Sequence, residues 1–135
     1  MTGIPWARAV LTWMAMMLAE TGQGVVREIF IAPLIGALPA RQLAVFTGSL
    51  VVLAIAWLTA RWINARTPPV QYAVGALWVV LTVIFEFSVG RATGASWSRL
   101  LSDFDPSRGG FLLLGLAVMF LAPRMVSARV ARKRT

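Results

Sequence analysis

The chain has 135 residues, 59% of them hydrophobic and only 13% charged, with a formal net charge of +8 and a strongly positive mean hydropathy. Soluble domains run nearer half apolar and a quarter charged, and one small core could not hide such an excess, so a membrane protein is expected. Having no cysteine or histidine, the chain lacks disulfides, a thiol nucleophile and the usual zinc sites; its basic residues, all arginine but Lys133, punctuate the ends of apolar runs, which argues for topology signals over a nucleic-acid face.

In chain order, the first apolar run begins near Ala7, passes through AVLTWMAMMLAE and ends at about Gly24. A crossing needs about 20 apolar residues for roughly 30 Å of hydrocarbon, so residues 7–24 read as a first span. Arg8 ahead of an apolar core also fits a signal peptide, but no A-x-A-like cleavage site follows, and an uncleaved span is expected. Val25 to Leu38, VVREIFIAPLIGAL, is too short to cross and return. It reads either as an interfacial helix or as an extension of the first span that breaks near Pro33.

Residues 42–63 form the cleanest span, ended by TPPVQ with Pro68 and Pro69. A third span covers 71–90 and a fourth 109–126. Between them, ASWSRLLSDFD places Trp97, Leu100, Leu101 and Phe104 at helical spacing around Arg99 and Asp103, as in a short amphipathic helix on a membrane surface. The expected fold is all-α: a single domain of four transmembrane helices with short interfacial helices and a basic tail, 127–135.

Orientation follows from the basic residues near span ends. With both termini on one side, that side holds eight (Arg8, Arg61, Arg66, Arg124, Arg129, Arg132, Lys133, Arg134), against Arg27, Arg41, Arg91, Arg99 and Arg108 on the other. Both termini are therefore expected in the cytoplasm, with the tail touching anionic lipids. Trp6, Trp57, Trp62 and Trp97 fall near interfaces, while Trp13 and Trp78 lie deeper.

The halves carry a similar pattern. Glu20 precedes Pro39-Ala40-Arg41 and Gly48; Glu86 precedes Pro106-Ser107-Arg108 and Gly115 at nearly the same spacings. Either two tandem helix hairpins are repeated in parallel, or common residues coincide by chance.

The topology gathers the intramembrane polar groups at the end away from the termini: Glu20, Arg27, Glu28, Arg41, Gln42, Glu86, Arg91 and Arg108. Gly75, Trp78, Thr82, Glu86 and Gly90 share one face of the third span, and Trp13, Met16, Glu20, Gly24 and Arg27 one face of the first. Such residues belong inward, because a lipid-facing charge costs roughly 2.5–3.5 kcal/mol. Ala40, Ala44 and Gly48 form a small-residue row permitting close helix approach. The cluster has two interpretations. In one, Glu86 pairs with Arg91 or Arg41, and Glu20 with Arg27, only to brace the helices. In the other, Arg27, Arg41 and Arg91 hold an anionic headgroup or a partner, oriented by the glutamates.

Catalysis is not indicated. Asp103 and Asp105 in SDFDPSRGG read as a turn and helix start, Ser96 and Ser98 lack a base, and Met14, Met16 and Met17 read as packing. No cofactor or metal is expected. Several segments, ETGQGVVREIFIAPLIG, ARQLAVFTGSL, GALWVVLTVIFEFSVGR and SWSRLLSDFDPSRGGFLLLGL, together resemble a family of small uncharacterised bacterial membrane proteins, over about Leu18 to Pro123. That resemblance implies four spans in the inner membrane and no assigned activity; family members often carry His where this chain has Gln23. The expected function is non-enzymatic, a scaffold or binding protein for a partner or an anionic amphiphile. The alternative is a small dimeric proton-coupled exporter, in which Glu20 would exchange protons.

Overall fold

In lipid every backbone polar group must be satisfied within the protein, which an apolar segment achieves most simply as a helix. The computed structural model, which describes residues 5–134 and side chains as far as Ser127, is all-helical, without a strand among the described residues. Six α-helices follow in order: α1 (Trp6–Val26), α2 (Ala32–Ile35), α3 (Ala37–Ile63), α4 (Pro68–Ala92), α5 (Trp97–Ser102) and α6 (Leu112–Arg134). Two of them, α3 with 27 residues and α4 with 25, are long and apolar enough to cross a membrane. Arg8, Glu20 and Gln23 make α1 less apolar, and the apolar part of α6, Leu112–Ser127, is shorter. The side chains of Arg129, Arg132, Lys133 and Arg134, assigned to the basic tail, lie outside the described residues.

Of residues 25–38, those up to Ile35 extend the first helix, and Ala37 and Leu38 already belong to α3. From Val26 the chain passes into a π-helical turn, Arg27–Ile31, closed by the Ala32 N–H on the Arg27 carbonyl, and then into α2. Pro33 explains the wider turn. In a regular α-helix its ring would press on the carbonyl four residues back, and its missing N–H would leave that carbonyl unpartnered. The break comes three residues later than Pro33, at Gly36, whose φ of 95° and ψ of 160° suit glycine alone. This reversal lets α3 start at Ala37 rather than Gln42, with Pro39 in the first turn, where no N–H is needed.

Pro68 and Pro69 do more than end α3, because they occupy the opening positions of α4. The intervening turn is fixed by Asn64 in the left-handed region and by Gln71, whose buried Nε2 donates to the Ala65 carbonyl at 2.9 Å. The fourth apolar helix starts at Leu112 instead of 109, because Gly109, at φ 81°, closes a separate 3-10 turn (Pro106–Arg108). Gly110 is enclosed by the Ser102 and Asp103 backbone, so a side chain there would have no room.

Asp105 caps that 3-10 turn, accepting from the Ser107 N–H at 3.0 Å and the Ser107 hydroxyl at 2.6 Å. The hydroxyl bond, above all, holds its carboxyl below the usual aspartate range. A lowered folded pKa contributes stability that is present above the unfolded value and lost as pH falls through the folded one. Melting in detergent should therefore fall away below about pH 4. The fall should be shallower in Asp105→Asn, which still accepts both bonds; equal pH profiles would refute this.

α3 packs against α1 and α6, and α4 against α6 and α1. Cross-contacts give the directions. The Arg8 guanidinium donates to the Trp62 carbonyl at 2.7 Å, and Gln23 to the Ala44 carbonyl at 3.1 Å, so α1 and α3 are antiparallel. Trp78 Nε1 donates to the Ala9 carbonyl at 2.9 Å and Trp13 Nε1 to Thr82 Oγ1 at 3.0 Å, so α1 and α4 run together. Residue 5, the α3–α4 turn and the end of α6 thus share one end of the molecule, and the connectors 27–36 and 93–111 the other. Buried Met16, Met17, Val52, Ala56, Val74, Trp78, Met119 and Ala122 form the core. The expected inward face of α4 is realised for Gly75, Trp78 and Thr82, and Trp6, Trp57, Trp62 and Trp97 are exposed.

Candidate functional site

A cavity of about 150 Å³ opens among α1, α3, α4 and α6 on the connector side of the core. Five of the eight expected polar residues line it: Glu20, Arg27, Arg41, Gln42 and Glu86. Its floor is apolar, with Met17, Val52, Leu116 and Met119 beside Thr82, and Asp103, Gly109 and Gly110 close its connector end. Glu28, Arg91 and Arg108 stand outside. Glu28 is exposed on the π-turn, Arg91 lies over the Trp97 ring at 4.9 Å and donates to the Ala95 carbonyl, and Arg108 is exposed on the 3-10 turn.

Glu20 does not stand at the end of the first helical run. Because α1 continues through the π-turn, Glu20 is far from the end of that helical run, and its carboxylate rests against Gly48 of α3. A Cβ on Gly48 would stand 2.8 Å from Oε2, so the glycine makes space for the carboxylate. Gly48 is eleven residues from the start of α3 at Ala37, or about 16 Å of helix. Glu86 is six residues from the end of α4 and exposed to the cavity.

The expected ion pairs do not form. Arg27 Nη2 reaches Glu28 Oε1 at 3.3 Å instead of Glu20, because the π-turn sets these neighbours side by side. Arg41 Nε faces Asp103 Oδ1 at 3.6 Å rather than Glu86. Asp103 also accepts from Arg99 Nη1 at 2.7 Å, one helical turn away. Among the described residues neither Glu20 nor Glu86 has a cation within salt-bridge distance, and Glu20 Oε1 is buried without a hydrogen-bond partner.

Asp103 was not among the expected site residues, although the i, i+4 spacing from Arg99 was a visible sign of pairing. Of the neighbouring donors, Arg27 Nε and Arg41 Nε are buried without a hydrogen-bond partner, whereas the amide and hydroxyl donors are committed. Gln42 Nε2 gives its bond to the Gly109 carbonyl at 2.8 Å, Ser49 Oγ to the Val45 carbonyl at 2.7 Å, and Thr82 Oγ1 to Met119 Sδ at 3.2 Å. Gln23 Nε2 is shared between the Ala44 carbonyl and Thr47 Oγ1.

Of the two suggested repeats, the glutamates and glycines converge, since Glu20, Gly48, Glu86 and Gly115 all line the cavity. The Pro-x-Arg elements diverge: Arg41 lies within α3 and lines the cavity, whereas Arg108 does neither. Among the described residues no group of acidic side chains is placed to hold a metal ion. Comparison with protein-family models, curated proteins and solved structures gives no match.

Proposed function

We propose that the chain is a four-span membrane protein of a bacterial inner membrane, both termini cytoplasmic, acting as a non-enzymatic binding protein. α1 and α6 would complete the crossings made by α3 and α4, with α5 and α2 near the outer surface. One observation carries the binding role: a cavity within the helices is lined by two glutamates without counterions. An intramembrane ionisable group is by default a functional candidate, because retaining it costs free energy that packing alone does not require.

The anionic-amphiphile form of this role loses support, since Arg41 and Arg27 face Asp103 and Glu28 and Arg91 is outside the cavity. The exporter remains as a second reading, favoured by the unpaired Glu20. It would require opening the apolar core around Trp78, Ala56 and Ala122, which closes the cavity toward the termini.

Native mass spectrometry of the purified protein tests the binding role. A co-purifying ligand or partner is expected, and its loss in Glu20→Gln with the fold intact. Abolition of proton-coupled efflux by that variant in vesicles would instead establish the exporter. Cysteines placed at Arg66 and Asp105 should label from opposite sides of the membrane; labelling from one side would overturn the four-span arrangement.

A further inference from the structure

We infer that the cavity takes a small primary ammonium ion, its NH3+ group seated between Glu20 and Glu86 and its short apolar tail on the Met17, Val52, Leu116 and Met119 floor. This rests on the binding role proposed above and specifies its ligand.

The charge count comes first. Three guanidiniums (Arg27, Arg41, Arg99) stand against four carboxylates (Glu20, Glu28, Glu86, Asp103), one negative charge in excess, and the two carboxylates without a cation at salt-bridge distance are Glu20 and Glu86. Ionised carboxylates are acceptors only, so a complementary ligand must bring positive charge and donors. Within the chain no donor reaches them: Arg27 Nε and Arg41 Nε line the cavity without a hydrogen-bond partner, but neither lies within salt-bridge distance of Glu20 or Glu86. Gln42, Ser49 and Thr82 give their hydrogens to Gly109, Val45 and Met119, and Gln23 gives to α3. The buried, unpartnered Glu20 Oε1 is left for an N–H from outside the chain.

Size and wall chemistry narrow the class. A cavity of about 150 Å³ matches one that admits a six-carbon ring, so an alkyl tail of four to six carbons fits and a long polyamine does not. Phe111 is the one aromatic side chain on the wall, whereas quaternary ammonium recognition uses several aromatic faces. A quaternary head would also leave Glu20 Oε1 without a donor. Charged donors bonded to carboxylates are the strong class of hydrogen bond, and excluding water strengthens them further.

Three probes of similar size test the inference on the full chain in lipid nanodiscs, by calorimetry and thermal shift: n-butylammonium, tetramethylammonium and butyrate. We expect n-butylammonium to bind at least tenfold more tightly than tetramethylammonium, with no binding of butyrate. Glu20→Gln and Glu86→Gln should each weaken n-butylammonium by tenfold or more. Gly48→Ala, which displaces the Glu20 carboxylate while keeping its charge, should also weaken it, so the result does not depend on the Gln variants folding. Preference for butyrate, equal affinity for tetramethylammonium, or n-butylammonium binding insensitive to all three variants would overturn the ammonium assignment. Gly115→Leu, which fills the cavity, separates the two claims. If another probe binds and Gly115→Leu abolishes it, the cavity is a binding site and only the ligand class fails. If no probe binds, both fail.

Discussion

Gly75→Ala should destabilise the folded protein by about 1–3 kcal/mol, the usual cost of forcing an extra methyl group into a packed interior. The methyl group would meet the Phe120 carbonyl oxygen, carbonyl carbon and Cα, all inside contact distance. Those are backbone atoms of α6, so no rotamer change can remove the clash and the two helices must separate. In lipid that separation is costly, because helices there associate by van der Waals contact and interhelical hydrogen bonds rather than by escape from water. The Tyr72–Phe120 ring stack, with centroids 5.5 Å apart, lies on the same contact and would shift with it. Two glycines serve as controls. Gly22→Ala meets nothing within 4 Å and should stabilise α1 by up to about 1 kcal/mol through helix propensity. Gly115→Ala meets Val45 Cγ1 at 3.5 Å and Ser49 Oγ at 3.9 Å, both ordinary contacts, and should be nearly neutral. Unfolding in mixed micelles, followed by circular dichroism, measures all three; a neutral Gly75→Ala would show that α4 and α6 are not in contact there.

Trp78→Ala should cost on the order of 3 kcal/mol, chiefly from the cavity it leaves. Trp78 is fully buried at the centre of the core, with no exposed surface. In water the loss would combine a transfer term with a cavity term; between helices in lipid the cavity term remains and the transfer term shrinks. Trp78→Phe separates the second contribution. It preserves most of the ring volume but removes the bond to the Ala9 carbonyl, and should cost about 1 kcal/mol. The same unfolding experiment applies, and equal losses for Phe and Ala would mean that the hydrogen bond, not the volume, holds α1 against α4.

The apolar runs, their punctuation by Pro68, Pro69 and the glycines, and the inward faces of the helices were legible in the sequence because they follow from periodicity. Trp78 and Thr82 fall inward as a 3.6-residue repeat requires. The convergence of Glu20 and Glu86 followed from chain direction alone. Which charges pair with which was not legible. Topology puts Arg27, Arg41, Glu20 and Glu86 near one end, but a long arginine side chain chooses among neighbours within a few ångströms. That choice depends on the π-turn after Val26 and on the loop carrying Asp103. The π-turn is a local compromise around Pro33 that no periodic pattern reports, and it moves every residue after Val26 around the helix. Asp103 was obscured by its neighbours, since Asp105-Pro106-Ser107 has strong turn chemistry and drew the whole stretch into that assignment.

The depth of Glu20 has an electrical consequence. With α3 crossing the bilayer as proposed, and its 27 residues, about 40 Å of helix, centred on roughly 30 Å of hydrocarbon, a group seated against Gly48 lies about 11 Å in, about a third of the membrane field. A full crossing is worth about 2.3 kcal/mol per elementary charge for each 100 mV, so a third is worth about 0.8 kcal/mol. A cation arriving from outside an energised, inside-negative membrane would be drawn toward Glu20, and an anion pushed away. Affinity at this site would then follow membrane voltage, roughly fourfold per 100 mV, so that occupancy reports the energetic state of the cell as well as ligand concentration.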